Sequence, residues 1–193
     1  LTEDYGFLSR FRYIQEDYDE RGRDVQSELA IGFTYRPARF DRFNAFTKLE
    51  YEHENNESSS PSETLDSWIC AVEGVYEATP TVDLVGKYAG KLTAQNGTQT
   101  YTDLVGGRIL WDVTDRFDAS VGYRVLADHD AATLAHGGSV ELGCRVWKNF
   151  WLGAGYAFDQ FDDDLTGGDF TGKGPFVRLR FKFDESTPQT DRK

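Results

Sequence analysis

Hydrophobic and polar residues alternate with a period of two along most of this chain. In the clearest segment, residues 177–183, apolar side chains take the odd positions and Arg178, Arg180 and Lys182 take the even ones. Successive side chains of a β-strand point to opposite faces, so this spacing predicts a strand with one apolar and one charged face. The pattern recurs about ten times between turn residues, which predicts about ten antiparallel strands.

The predicted connections between these strands alternate in length. Short connections fall at 36–42, 79–81, 114–116 and 148–149, and longer, more polar ones at 15–24, 54–66, 95–100, 128–136 and 159–171. Bacterial outer-membrane barrels have short periplasmic turns and longer extracellular loops, and about ten tilted residues cross their apolar band of roughly 25 Å. We therefore predict an all-β fold, a transmembrane antiparallel up-and-down β-barrel of about ten strands, over residues 1–184, followed by a polar C-terminal tail over 185–193.

Aromatic residues fall near the ends of the predicted strands, where ring side chains of membrane barrels form girdles at the two interfaces. The expected periplasmic girdle is Tyr35, Tyr76, Trp111, Phe117, Phe150 and Phe183, and the expected outer girdle is Tyr13, Tyr51, Trp68, Tyr101 and Phe158. An alternative is a soluble barrel or sandwich with these rings in its core. Small residues crowd the charged face, as a narrow lumen requires, which favours the membrane barrel.

The composition narrows the classes of function. The 193 residues suffice for one domain, and the net charge of −12 argues against nucleic-acid binding, which needs a basic surface. The chain begins at Leu1 without a visible signal peptide and contains no Met, so we expect a processed or excised piece of a longer protein. Cys70 and Cys144 fall on predicted strands that are not adjacent, so we expect both to stay reduced.

Three segments carry a resemblance to a known group of domains. They are ELAIGFTYRPARFDRFNAFTKLEYEHE, GGRILWDVTDRFDASVGYRVL and SVELGCRVWKNFWLGAGYAFDQFDDDLTGGDFTGKGPFVRLRFKF. They resemble the C-terminal outer-membrane β-barrel domains of large, repeat-rich Gram-negative surface proteins. The resemblance implies a membrane anchor at the cell surface for an upstream segment or for an associated surface or periplasmic protein, and it implies no catalytic residue. Such strands usually finish on an aromatic residue at the chain end, whereas here DESTPQTDRK follows Phe183.

The charged faces of the strands would line the lumen of this barrel. The lumen-lining residues are predicted to be Arg10, Arg12, Glu28, Arg36, Lys48, Glu50, Glu73, Lys87, Arg108, Arg124, Glu141, Arg145, Arg178, Arg180 and Lys182. Unpaired buried charge is unstable, so we expect ion pairs across the interior. A ten-stranded barrel is little wider than the eight-stranded type that side chains fill, which favours an occluded lumen. The alternative is a narrow, porin-like pore for ions or small solutes.

Other chemistry has weaker support in the sequence. The acidic run Asp162–Asp164 could hold Ca²⁺ or Mg²⁺, and such an ion could bridge to anionic lipopolysaccharide, but the spacing fits no EF-hand, so we expect no metal or other cofactor. An omptin-like surface hydrolase would rest on Asp128, His129 and Asp130, and catalysis would need acidic residues facing them across the barrel mouth. We therefore expect an outer-membrane anchor rather than an enzyme, with membrane lipid and lipopolysaccharide as partners and no nucleic acid.

Overall fold

The computed structural model describes residues 4–18, 22–37, 39–40, 42–58, 62–147, 150–158 and 173–181. These residues form ten strands: β1 Tyr5–Tyr18, β2 Gly22–Tyr35, β3 Phe43–Asn56, β4 Glu63–Thr79, β5 Val82–Gln95, β6 Thr98–Asp112, β7 Phe117–Asp128, β8 Thr133–Trp147, β9 Phe150–Ala157 and β10 Gly174–Phe181. Every strand pairs antiparallel with the next in one sheet. The predicted all-β, up-and-down architecture is confirmed. No helix long and apolar enough to cross a membrane occurs in the described ranges.

Most strands are longer than the ten residues expected. The segment 15–24, predicted as a connection, is largely strand: β1 runs to Tyr18 and β2 begins at Gly22. The connection predicted at 95–100 shrinks to a two-residue turn, Asn96–Gly97, with φ of 50° and 84°. Two central residues with positive φ match the twist of a hairpin, and Asn-Gly tolerates them best. The difference in length between the two sets of connections is therefore smaller than the sequence predicts.

The strand register sorts side chains onto two faces. In β6, Leu104, Gly106 and Arg108 share one face, while Val105 and Ile109 share the other. The apolar face is exposed along the sheet, with Leu142 at 70% and Val177 at 71%. The charged face is more buried, because side chains of distant strands meet on it: Arg180 of β10 bonds Asp118 of β7. The charged face is therefore concave, as in the wall of a barrel.

An apolar layer lies on this concave face. Ala89 and Leu104 are the buried centre, with Leu104 only 1% exposed. Ala71, Leu126 and Ala135, from the flanking strands, pack against them. Three of the five residues are alanines, whose small side chains suit the inner side of a curved sheet. The layer therefore fills part of the concave interior.

The seam between the first and last strands is unpaired. Among the described strands, β1 pairs with β2 alone and β10 with β9 alone, and no Cα of β1 lies within 8 Å of a Cα of β10. The sequence predicts a closed barrel in which the last strand pairs with the first, so the described sheet departs from that prediction at one place. β9 and β10 have eight residues each, against fourteen in β1, so β10 offers a shorter edge for pairing.

Candidate functional site

The concave face carries most of the residues predicted to line a lumen. The register places on it Arg10, Arg12, Glu28, Lys48, Glu50, Glu73, Lys87, Arg108, Arg124, Glu141, Arg145, Arg178 and Arg180. Arg36 instead lies beyond the end of β2, exposed in the connection to β3, where its backbone N–H donates to Asp4 O at 2.8 Å. Lys182 lies outside the described residues, as does the acidic run Asp162–Asp164.

Among the described residues, Glu141 of β8 is the centre of the largest ion-pair cluster on this face. It is 3% exposed, and its Oε2 accepts from Arg108 Nη2 at 2.6 Å and lies 3.1 Å from Arg178 Nη1. Arg180 Nη2 lies 3.8 Å from Oε1 of the same carboxylate. These arginines come from β6 and β10, on either side of β8, so one buried carboxylate connects three strands. A carboxylate this deeply buried needs such compensation to stay charged.

Asp118 of β7 completes the cluster. Arg180 Nη2 donates to both of its carboxylate oxygens at 2.8 Å. Arg108 also donates to Ser120 Oγ, at 2.8 Å from Nη2. The cluster thus holds three guanidinium groups against two carboxylates, and it spans the sheet from β6 to β10.

Glycines provide the space in which these ion pairs lie. A Cβ on Gly143 would overlap the Asp118 carboxylate and Arg180 Nη2, and a Cβ on Gly153 would overlap the Glu141 carboxylate. Both glycines face the concave side and are paired with each other in adjacent strands β8 and β9. These two glycines therefore make room for the ion pairs, since any larger residue at either position would displace the charged groups.

A second group of charges lies on β1 to β3. Both Arg10 and Arg12 of β1 bond Glu28 of β2, the latter at 2.7 Å. Lys48 and Glu50, on β3, are 2.9 Å apart. Gln26 donates to Glu52 at 3.0 Å and Glu54 at 2.9 Å. This part of the face is rich in carboxylates, whereas the part formed by β5 to β10 is rich in cations.

A cavity of about 200 Å³ lies over the middle of the cation-rich part. Its charged lining consists of Glu73, Lys87, Arg108, Arg124 and Arg178. Gly106, Gly122 and Gly137 form a floor without side chains, and Leu104 and Phe176 form apolar walls.

The residues considered for hydrolysis have structural roles at the rim. The Asp128 carboxylate accepts from the backbone N–H groups of Asp130 and Ala131, which forms the turn after β7. His129 Nε2 lies 2.5 Å from Asp103 Oδ1, and its ring stacks on Tyr101.

Two features of the cluster are not predicted from the sequence. The pairing of Asp118 on β7 with Arg180 on β10 depends on the curvature of the sheet across the two intervening strands, β8 and β9. Phe176 breaks the alternation, because it lies on the concave face and places its ring 5.6 Å from Arg178 Cζ. An aromatic at an even position of β10 is the one signal that could have indicated a cation–π contact.

Comparison with known proteins supports the fold. No protein-family model and no curated protein matches the sequence. Among solved structures, the siderophore receptor PirA from Pseudomonas aeruginosa is similar, with a TM-score of 0.63 and 11% identity over 81% of this chain and 32% of that chain. This chain thus spans about a third of that receptor's length. The likeness shows that this chain has the antiparallel up-and-down fold of an outer-membrane β-barrel.

Proposed function

We propose that this chain is an outer-membrane β-barrel anchor with an occluded, charge-paired interior, which holds a larger surface protein or complex in the membrane. The observation that carries the proposal is the separation of faces: a continuous exposed apolar face and a concave face where charges are paired. Leu142 and Val177, more than two thirds exposed, would be unfavourable in water but suit a lipid solvent. The fold neighbour supports the same location.

Occlusion is supported by what fills the concave face. The apolar layer around Leu104 occupies one level, and the cluster around Glu141 occupies another. Side chains from β6, β7, β8 and β10 meet there, which favours a filled interior over a wide aqueous path. An anchor needs only a stable wall, so a filled interior is compatible with this function.

Membrane insertion requires partners for the backbone edges of β1 and β10. Unpaired N–H and C=O groups are very unfavourable in hydrocarbon, and closed barrels avoid them. We infer that the two edges pair with each other in the bilayer. The paired outer-rim residues Tyr51 and Trp68, with ring centroids 4.6 Å apart, would lie at the headgroup level and contact lipopolysaccharide.

A narrow pore is the second candidate function. The cavity lined by Lys87 and Arg124 favours it, because an interior that is only partly filled could pass ions or small solutes. Planar-bilayer recordings separate the two functions. An anchor gives no discrete conductance steps, whereas a pore gives steps whose size is reproducible.

Anchoring itself is testable with a reporter protein fused before Leu1 and exported to the periplasm. We expect the fusion to sediment with outer membranes and to resist extraction by carbonate. The reporter exported alone is the control and should stay soluble. A matched fusion that ends before β10 should lose membrane association, because the sheet cannot close. A full-length fusion that remains soluble would contradict the proposal.

A further inference from the structure

The connection between β2 and β3 combines exposed arginines with an exposed aromatic ring. Arg36, Arg39 and Arg42 all lie on the surface, and no ion pair holds their guanidinium groups within the described part of the chain. Phe40, between them, is 52% exposed. Asp41 is the one acid of the connection, so this segment carries an excess of positive charge in a chain whose net charge is −12.

Backbone hydrogen bonds give this connection a defined shape. At its start, Arg36 N donates to Asp4 O at 2.8 Å. At its end, Glu77 N in β4 donates to Arg42 O at 2.8 Å. Between them, Phe40 N donates to the carbonyl oxygen three residues earlier at 3.2 Å, which closes a turn. The connection is therefore held at both ends, and its side chains extend from an ordered backbone.

Aromatic rings on the apolar face lie next to this connection. The ring centroids of Tyr5 and Tyr35 are 5.1 Å apart, and those of Tyr35 and Phe43 are 6.4 Å apart. Tyr76 is opposite Phe43 in the register. In membrane barrels such rings lie at the headgroup level. Two of the arginines directly adjoin Tyr35 and Phe43 in the sequence, so in the membrane they would lie beside the headgroups of the periplasmic leaflet.

We infer that this connection binds the headgroup phosphate of an anionic phospholipid in the periplasmic leaflet. The inference rests on the proposed function, because it requires the barrel to lie in a membrane. Guanidinium groups match phosphate oxygens with paired N–H donors, and basic residues beside an anionic membrane surface are attracted to it. The exposed ring of Phe40 adds apolar surface that suits the interface. Continuity with the aromatic rings favours a lipid over an acidic segment of a protein.

Native mass spectrometry of the detergent-folded chain, titrated with phosphatidylglycerol or phosphatidylcholine, tests this site. We expect the first phosphatidylglycerol to bind more tightly, because only this lipid has a net negative charge. Arg39→Gln should lower that affinity about fivefold, the contribution of one basic residue near an anionic surface, and Arg39→Lys should retain most of it. Arg23→Gln is the matched control, because it removes an exposed arginine at the other end of β2, which pairs with Asp17 at 2.9 Å, and should leave the affinity unchanged.

The outcomes distinguish this site from the anchoring function. Equal affinity of the unaltered chain for the two lipids would overturn the inference, and so would equal weakening by Arg39→Gln and Arg23→Gln. Displacement of phosphatidylglycerol by an oligoglutamate peptide, with no difference between the two lipids, would assign the connection to an acidic protein segment instead. If the reporter fusion sediments with membranes but the lipids bind equally, the lipid site alone is wrong. A soluble fusion would remove both proposals.

Discussion

Arg180 on the last strand donates from one nitrogen to both carboxylate oxygens of Asp118, three strands away, at 2.8 Å. The sequence predicts that the arginines of this strand find partners beyond their immediate neighbours, with Glu28, Glu50, Glu73 and Glu141 as the available acids. The partners are Asp118 and Glu141, on β7 and β8. These partners lie only three and two strands from β10 on the same curved wall. Pairing with the more distant Glu28, Glu50 and Glu73 is therefore not required.

Removal of the Arg180 charge should destabilise the barrel. Arg180→Leu leaves Asp118 uncompensated and Glu141 less compensated, at a cost of about 3 kcal/mol, the lower end for breaking a buried pair. The denaturant midpoint of the detergent-folded chain should fall, or conductance should appear in planar bilayers. Lys173→Leu, an exposed residue just before β10, is the control and should do neither. An Arg180→Leu chain with unchanged stability and conductance would mean that the concave face is filled with water.

The space left by glycine is testable in the same way. Gly143→Ala places a methyl group on the Arg180–Asp118 pair, and we expect a loss of about 1–3 kcal/mol in unfolding free energy from the forced displacement. Gly86→Ala is the matched control, because a Cβ there meets nothing within 4 Å; its effect should stay within about 0.5 kcal/mol. Equal effects of the two substitutions would remove the packing role assigned to Gly143.

The two cysteines should remain reduced even under oxidising conditions. Cys70 lies on β4 and Cys144 on β8, and both are free. Four strand spacings separate them by roughly 19 Å, far beyond the ~7 Å between Cα atoms that a disulfide tolerates. Mass spectrometry after non-reducing digestion should therefore find both thiols. An intramolecular bridge between them would invalidate the strand order.

A closed barrel in a membrane also predicts heat-modifiable migration in detergent gels. Once β1 and β10 pair, every strand is bonded on both edges, and such a sheet resists unfolding by detergent until it is heated. Unboiled samples should migrate faster than boiled ones and should show a β-type circular dichroism spectrum in detergent. Identical migration with no β signature would show that the seam stays open and that the sheet is not a membrane barrel.

Period-two alternation was sufficient to predict the strand number, the antiparallel order and the two faces, because each strand carries that signal locally. The alternation did not predict the residues at which the strands begin and end. Gln15 and Asp17 are polar and resemble a loop, but Gln15 donates to Asp17 at 3.0 Å and Arg23 to Asp17 at 2.9 Å, which stabilises extended backbone. The residue pair Asn96–Gly97 is by itself a strong signal for a two-residue hairpin turn. The polar residues on either side made the segment resemble a longer loop instead.

The candidate site was predictable in composition but not in geometry. The charged residues of each strand fall on one face by parity alone, which is why Arg108, Glu141 and Arg178 could be grouped in advance. Which acid binds which base depends on sheet curvature, a property of the whole fold. No local sequence pattern predicts that the edges of β1 and β10 are unpaired, because these two strands are the most distant from each other in the sequence.

Lipid contact at adjacent residues of β6 tests the central claim most directly. Leu104 and Val105 are both apolar, but Leu104 is 1% exposed on the concave face and Val105 is 54% exposed on the opposite face. Spin labels are attached singly to Leu104→Cys and Val105→Cys in a chain with Cys70→Ala and Cys144→Ala, reconstituted in bilayers. A membrane barrel predicts frequent collision of the label at 105 with lipid-dissolved oxygen and little at 104; the reverse order, or water exposure of the label at 105, would contradict it.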